Sequence, residues 1–183
     1  MKPAPSESEL QWVVDASVAY QSTTIHSEDV VPIYLDTGSG TISLTPDAYD
    51  KFLEATGAEP HRDVTKISRE KYAKMGDLNI VMAGQTFPLI PNALKNWYIS
   101  RQGSPDSKAS DNGASDSGAP ENKTPGNGTT SASDEYITLR VDKFSKEGFI
   151  IGSPFFERYY VHLDADNEQV GIGITEYTRS LVN

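Results

Sequence analysis

The chain has 183 residues, a formal net charge of −10 and a pI near 4.7. This length suits one domain with a hydrophobic core, and two full domains would not fit comfortably. The acidic balance argues against a nucleic-acid partner, which needs a basic surface to neutralise phosphates. The absence of cysteine excludes disulfides, thiolate zinc sites and a cysteine nucleophile.

The two ends of the chain are predicted to lie outside the folded domain. Residues 1–9 are polar and contain two prolines, which predicts a flexible N-terminal segment, and residues 179–183 are predicted to be a tail. No apolar signal-peptide core follows the first residues. No uninterrupted apolar stretch of about 18 residues is present, so we predict no membrane span.

Three strands are predicted before the first helix. Leu10–Asp15 and Ser17–Tyr20 are rich in β-branched and aromatic residues with partial alternation. Val30–Leu35 is an apolar run with Pro32 near its start, which predicts a strand buried on both faces. This run ends at Asp36, so the carboxylate is expected in the loop that follows.

The clearest predicted helix spans residues 46–56. Thr45 can cap it, Pro46 suits its first position and Gly57 can end it. Its apolar stripe has Tyr49 at the margin and consists of Ala48, Phe52, Leu53 and Ala55.

A β-hairpin is predicted next, with strands Leu78–Met82 and Thr86–Ile90 on either side of a turn at residues 83–85. Residues 102–134 then change in composition to Gly, Ser, Asp, Asn, Pro and Thr. Such a segment cannot bury enough apolar surface to offset its ordering entropy, which predicts a disordered insert. Two glycosylation sequons lie in this insert, at Asn122 and Asn127.

The last part of the chain predicts a strand at Tyr136–Val141 and a second apolar run, Gly148–Gly152, that ends in glycine. A short helix is expected from Ser153 onward. Two strands then form a closing hairpin, Tyr159–Asp164 and Gln169–Ile174.

These features together resemble the C-terminal lobe of a pepsin-like aspartic endopeptidase of fungal type. The resemblance rests on Asp36-Thr37-Gly38-Ser39 after an apolar strand, on the run ending at Gly152, and on the closing hairpin with Asp164 and Asn167 near its turn. It implies a mainly β fold, with antiparallel sheets and one or two short helices. The single lobe would span residues 10–178 and carry the disordered insert at 102–134.

The resemblance also implies roles for individual residues. Asp36 would be a catalytic carboxyl, and Thr37 would bond backbone across a pseudo-twofold axis. Gly38 would bring its N–H close to the carboxylate, and Ser39 would bond the outer carboxylate oxygen. Gly152 would be the structural glycine of the second turn. The substrate cleft would be lined by Tyr34, Gly38, Ser39 and Ile150.

Hydrolysis of a peptide bond without a metal or a covalent intermediate requires one carboxylate to activate water and one neutral carboxylic acid. A second Asp is therefore needed. Asp116-Ser117-Gly118 matches the motif, but it lies in the low-complexity insert without an apolar strand before it. The second carboxyl would come from a missing N-terminal half, a separate chain or a homodimer mate, and the substrate would be a peptide or protein.

An alternative function is a catalytically incomplete lobe, or pseudo-protease fragment, that acts as a binding module. The three histidines, His26, His61 and His162, show no metal-binding spacing, and we interpret them as two surface residues and one strand residue. We expect no metal and no cofactor. The resemblance implies an extracellular, secretory or vacuolar location, although no signal peptide is found in this chain.

Overall fold

The computed structural model describes residues 12–26, 30–96, 135–144 and 148–181. The predicted flexible segment 1–9, the predicted insert 102–134 and both sequons, Asn122 and Asn127, lie outside the described residues. Of the predicted tail, residues 182 and 183 also lie outside them.

The described residues form thirteen strands and four helices. In chain order the strands are β1 Trp12–Tyr20, β2 Thr23–Thr24, β3 Val31–Leu35, β4 Ile42–Leu44, β5 Glu59–His61, β6 Val64–Ser68, β7 Leu78–Met82, β8 Gln85–Leu89, β9 Tyr136–Leu139, β10 Val141–Lys143, β11 Phe149–Ile151, β12 Tyr159–Asp164 and β13 Gln169–Ile174. The helices are α1 Pro46–Thr56, α2 Arg69–Tyr72, α3 Pro91–Leu94 and, numbered here α4, Ser153–Phe156.

The largest sheet has the strand order β10-β4-β11-β3-β1-β7-β8, with β2 paired to β1. Two of its pairs are parallel, β10 with β4 and β11 with β3, so the sheet is mixed. Smaller sheets have the orders β5-β6-β9 and β12-β13. The mainly β prediction is confirmed. Beyond α1, the described helices are single turns of four residues.

Strand β11 lies between β3 and β4, although those two strands are joined by one short loop. Ile151 pairs with Leu35 of β3 on one side and with Ile42 of β4 on the other. The loop of residues 36–41 must therefore pass over the end of β11. This topology places the Asp36 loop beside the turn that follows β11.

One face of the large sheet forms the core. Val14, Val18, Ile33, Ile80 and Phe149 are fully buried there. Helix α1 covers this core with Phe52, whose ring meets Tyr20 edge-on at 5.9 Å between centroids. Because strand side chains alternate, the opposite face of the sheet carries the intervening residues.

Helix α1 has the predicted bounds, and Gly57 ends it in the left-handed conformation (φ 68°) while donating to the Leu53 carbonyl at 2.7 Å. Two details of the prediction were wrong. Thr45 occupies the N-cap position without a side-chain capping bond. Ala55 is exposed, and the buried position is Thr56, whose hydroxyl donates to the Phe52 carbonyl.

The strand predictions need three corrections. One strand, β1, replaces the two predicted before Gln21, because the outward-facing Asp15 continues the alternation. Strand β3 also alternates, with Pro32 and Tyr34 half-buried, so it is not buried on both faces. The strand predicted at residues 136–141 is divided at Arg140 into β9 and β10.

Both predicted hairpins are present, but β8 begins at Gln85, which was predicted in the turn, and ends at Leu89. The β7–β8 turn places Ala83 and Gly84 at positive φ (49° and 74°), as tight hairpin turns require. The β12–β13 strands match their predicted bounds. None of the described helices is long and apolar enough to cross a membrane.

Candidate active site

Asp36 begins the loop that joins β3 to β4, and its side chain is exposed. Its backbone N–H donates to the Ile151 carbonyl at 3.1 Å, which fixes the start of the loop to the end of β11. The Gly38 N–H donates to Asp36 Oδ1 at 2.8 Å, as expected for a glycine next to a carboxylate. The Ser39 N–H donates to the Asp36 carbonyl at 3.2 Å, so the loop is also bonded internally.

Gly152 closes the other side of the same site. Its N–H donates to the Thr41 carbonyl at 3.0 Å, and the Ser153 N–H donates to the Ser39 carbonyl at 2.8 Å. A Cβ at position 152 would lie less than 3.0 Å from both of those carbonyl oxygens. The fold thus brings together two segments that are more than 100 residues apart in sequence.

Tyr34 and Ile150 are partners in the parallel pair of β3 and β11. Residues in register on neighbouring strands project to the same face, and both of these are half-buried. They therefore lie together on the face of the sheet opposite the core. Their role in a substrate cleft stays a prediction.

The Ser39 hydroxyl does not make the bond expected of it. It lies 3.3 Å from the Thr41 carbonyl, to which it donates, and accepts from the Thr41 N–H at 3.3 Å. The expected partner was the Asp36 carboxylate. The serine side chain instead turns back onto its own loop, and Thr37 is exposed.

Known proteins that are similar to this chain include aspartic proteinases. No family model matches the chain. Polyporopepsin from Irpex lacteus is 26% identical over 176 residues, which cover 94% of this chain and 45% of that protein. The crystal structure of an aspartic proteinase from Irpex lacteus superposes with a TM-score of 0.70 at 24% identity, again covering 94% of this chain and 45% of the other.

The chain has the fold of one lobe of a pepsin-like aspartic proteinase. The resemblance predicted from the sequence is confirmed, as is the mainly β pepsin-like fold class. The chain spans less than half the length of each of these two proteins. Its assignment as the C-terminal lobe stays a prediction.

The pepsin-like lobe contains polar contacts at the Asp36 loop that the sequence analysis missed. The Thr41 hydroxyl donates to Asp142 Oδ2 at 3.0 Å and lies 3.2 Å from the Ser43 hydroxyl. Thr41 and Asp142 are 101 residues apart, so no local pattern connects them. The available signal was an acidic residue at the centre of a strand, Val141-Asp142-Lys143.

Helix α4 of the lobe is held against the site by a buried cation. The Arg140 guanidinium binds both carboxylate oxygens of Glu157, at 2.7 and 2.6 Å, and donates to the Ala93 carbonyl at 2.8 Å. Its Nη1 lies 3.5 Å from the hydroxyl of Ser153, the residue whose N–H binds the Asp36 loop. The ion pair thus fixes the helix that begins at the second turn.

The histidines are placed differently from the sequence interpretation. His26 is buried and its Nε2 accepts a hydrogen bond from the Val18 N–H at 2.9 Å. His61 and His162 are exposed residues of β5 and β12. Within the described ranges, no group of three or more His, Asp or Glu side chains could hold a metal ion.

Proposed function

We propose that this pepsin-like lobe supplies one carboxyl group, that of Asp36, to a two-aspartate site that hydrolyses peptide bonds. The observation that carries the proposal is the position of Asp36. It lies exposed in the loop that passes over β11, and one carboxylate oxygen accepts the Gly38 N–H. The similarity to aspartic proteinases supports the reaction class.

The chemistry requires a second carboxyl group within about 3 Å of the first, because two acids that close share one proton. The ionised member activates the attacking water, and the protonated member polarises the carbonyl of the peptide bond. The partner that carries the second acid would be a missing N-terminal half, a separate chain or a second copy of this chain. In a twofold dimer, two copies of Asp36 would face each other across the axis.

The substrate would be a peptide or protein held along the outer face of the sheet. Tyr34 and Ile150 present half-buried apolar surface there, and Gly38 and Ser39 border it from the loop. By the same resemblance, the protein would work outside the cell or in a secretory or vacuolar compartment. In such a compartment, Asn122 and Asn127 would be the glycosylated residues.

The test combines sedimentation with an assay of protein cleavage at acid pH. If an active assembly forms, Asp36→Asn should abolish cleavage while leaving the unfolding transition nearly unchanged. Asp63→Asn is the matched control, since Asp63 lies exposed in the turn between β5 and β6. Full activity of Asp36→Asn, or turnover by a proven monomer, would refute the proposal.

A second candidate function is a binding module without catalysis. It is favoured by the extent of the match, since the chain spans 45% of its relatives and carries one Asp-Thr-Gly motif. A peptide that binds equally to the wild type and to Asp36→Asn, with no cleavage by any assembly, would support this function instead.

A further inference from the structure

Among the described residues, one side chain anchors the loop that carries Asp36 to a distant strand. Its backbone bonds join it to β11 and to the turn at Gly152. The side-chain anchor is the hydrogen bond that the Thr41 hydroxyl donates to Asp142 Oδ2 at 3.0 Å. Asp142 lies in β10, on the far side of β4 from the loop's other contacts.

Asp142 shares a sheet face with the predicted cleft residues. It pairs with Ser43 of β4, Ser43 pairs with Ile150 of β11, and Ile150 pairs with Tyr34 of β3. Residues in register project to one side of a sheet. Asp142 is therefore part of the same surface as Tyr34 and Ile150.

The hydrogen-bond directions of the cluster depend on Asp142. The Thr41 hydroxyl has one proton and donates it to Asp142 Oδ2. The Thr41 oxygen can then accept from the Ser43 hydroxyl at 3.2 Å, because the Ser39 proton goes to the Thr41 carbonyl. Asp142 thus fixes the direction of the Thr41 hydroxyl, which belongs to the loop that begins at Asp36, and Ser43 can donate to the same hydroxyl.

Stability alone does not account for this carboxylate. Asp142 Oδ1 is buried and has no hydrogen-bond partner within the described residues, which costs free energy. The two basic residues nearest to it in sequence form ion pairs with other acids, Arg140 with Glu157 and Lys143 with Asp50. A half-buried carboxylate with one buried, unsatisfied oxygen is retained more readily where it has a function.

We propose that Asp142 is a positioning residue, which holds the Asp36 loop in place through Thr41. The effect of Asp142 on catalysis rests on the proposed function, in which Asp36 is catalytic. Its structural part, the anchoring of the loop, can be measured without catalysis. The conservative change Asp142→Asn should preserve the anchor, because an amide oxygen also accepts the Thr41 proton.

Amide hydrogen exchange of the chain provides the first test. In Asp142→Ala, exchange of the Gly38 and Thr41 amides should rise about tenfold, the factor expected when a hydrogen bond to a carboxylate is lost. Amides of the β12–β13 hairpin should be unchanged, and Asp142→Asn should restore slow exchange in the loop. Asp50→Asn is the matched control, since Asp50 pairs with the adjacent Lys143 and is exposed.

Two further variants keep the test decisive. If Asp142→Ala does not fold, Thr41→Val removes the donating hydroxyl at nearly constant volume and should loosen the same amides, while Thr41→Ser should not. Unchanged exchange in the loop, or an equal rise throughout the chain, would overturn the proposal.

Activity provides the second test. In an active assembly, Asp142→Ala should lower kcat at least tenfold with little change in KM, because Asp36 and not the substrate is displaced. Asp142→Asn should recover most of kcat, and equal loss in both variants would contradict positioning. If every assembly is inactive, the proposed function fails, and the exchange experiment still decides whether Asp142 anchors the loop.

Discussion

Gly152 lies directly against the carbonyl oxygen of Ser39, with no room for a side chain between them. The Thr41 carbonyl oxygen is equally close, and both belong to backbone that is already bonded to residues 152 and 153. We expect Gly152→Ala to lower the free energy of unfolding by about 2 kcal/mol or more, because backbone atoms cannot move aside as a flexible side chain can. Chemical denaturation measures the effect.

Gly171→Ala is the control for that variant. Gly171 lies in strand β13, where a Cβ would meet the His162 Cβ at 3.6 Å, an ordinary contact. The free energy of unfolding of Gly171→Ala should stay within about 1 kcal/mol of the wild-type value. It can exceed that value, since glycine weakens a strand. Equal destabilisation by the two alanines would contradict the close-approach argument.

Within the described ranges, Glu157 is the one acidic residue that pairs with Arg140. The Arg140 side chain is 5% exposed, whereas Glu157 is 41% exposed. We expect Glu157→Gln to destabilise the fold by about 2 kcal/mol, below the full cost of breaking a buried pair because Glu157 is partly solvated. Denaturation in urea gives this value.

Lys51→Ala is a matched control for Glu157→Gln. It removes an ion pair of similar length, 2.9 Å to Asp47, in which both side chains are substantially exposed. The expected change in the free energy of unfolding is within about 0.5 kcal/mol. A loss as large as that of Glu157→Gln would show that burial is not what makes the Arg140 pair important.

The elements that the sequence predicted correctly are defined by local chemistry. Helix α1 has Pro46 at its start and Gly57 at its end, and the β7–β8 hairpin has a tight turn at Ala83 and Gly84. The position of Asp36 after an apolar strand also follows from a local pattern. Each of these signals lies within a few residues of the structure that it specifies.

The contacts around the site could not be predicted in the same way. The insertion of β11 between β3 and β4 depends on tertiary pairing, and the Thr41–Asp142 bond joins residues 101 positions apart. The sequence also did not reveal that His26 is buried, with its Nε2 accepting a bond from the Val18 N–H. The family resemblance implied that the Ser39 hydroxyl would bond the Asp36 carboxylate. In the structure its partners are the backbone carbonyl and N–H of Thr41.

Asn167 lowers the pKa of Asp164 below its ordinary value of 3.8 by hydrogen bonding to its carboxylate. The larger cause is the side-chain bond at 2.8 Å, followed by the backbone bond at 3.0 Å. A carboxyl group with a depressed folded pKa contributes stability that is present above the unfolded pKa and is lost as the pH falls through the folded pKa.

Asn167→Ala should therefore be less stable than the wild type near neutral pH, with the difference shrinking below pH 3.8. Urea denaturation of both proteins across this range measures the effect. The backbone bond remains in the variant, so part of the pKa depression should persist. A stability difference that is constant with pH would show that Asn167 acts through the turn geometry and not through the Asp164 charge.

Tyr159 connects the closing hairpin to the β7–β8 hairpin. Its hydroxyl donates to the Pro88 carbonyl at 2.8 Å, and its buried ring stacks on Phe155 with centroids 4.7 Å apart. Tyr159→Phe keeps the ring and removes the bond, so it should cost about 1 kcal/mol near neutral pH. Tyr160→Phe is the control, because the neighbouring Tyr160 is 66% exposed and its change should be close to zero.

At high pH the same phenol should make folding sensitive to alkali. Burial raises the pKa of Tyr159 from 10.0 to about 12. A raised folded pKa means that the stabilising effect of the neutral phenol is complete below pH 10 and is lost as the pH rises towards about 12. The stability advantage of the wild type over Tyr159→Phe should therefore shrink across that interval, measured by urea denaturation alongside tyrosinate absorbance. If the free energies of unfolding of the two proteins change in parallel with pH, the Tyr159 phenol ionises equally easily in the folded and unfolded chains.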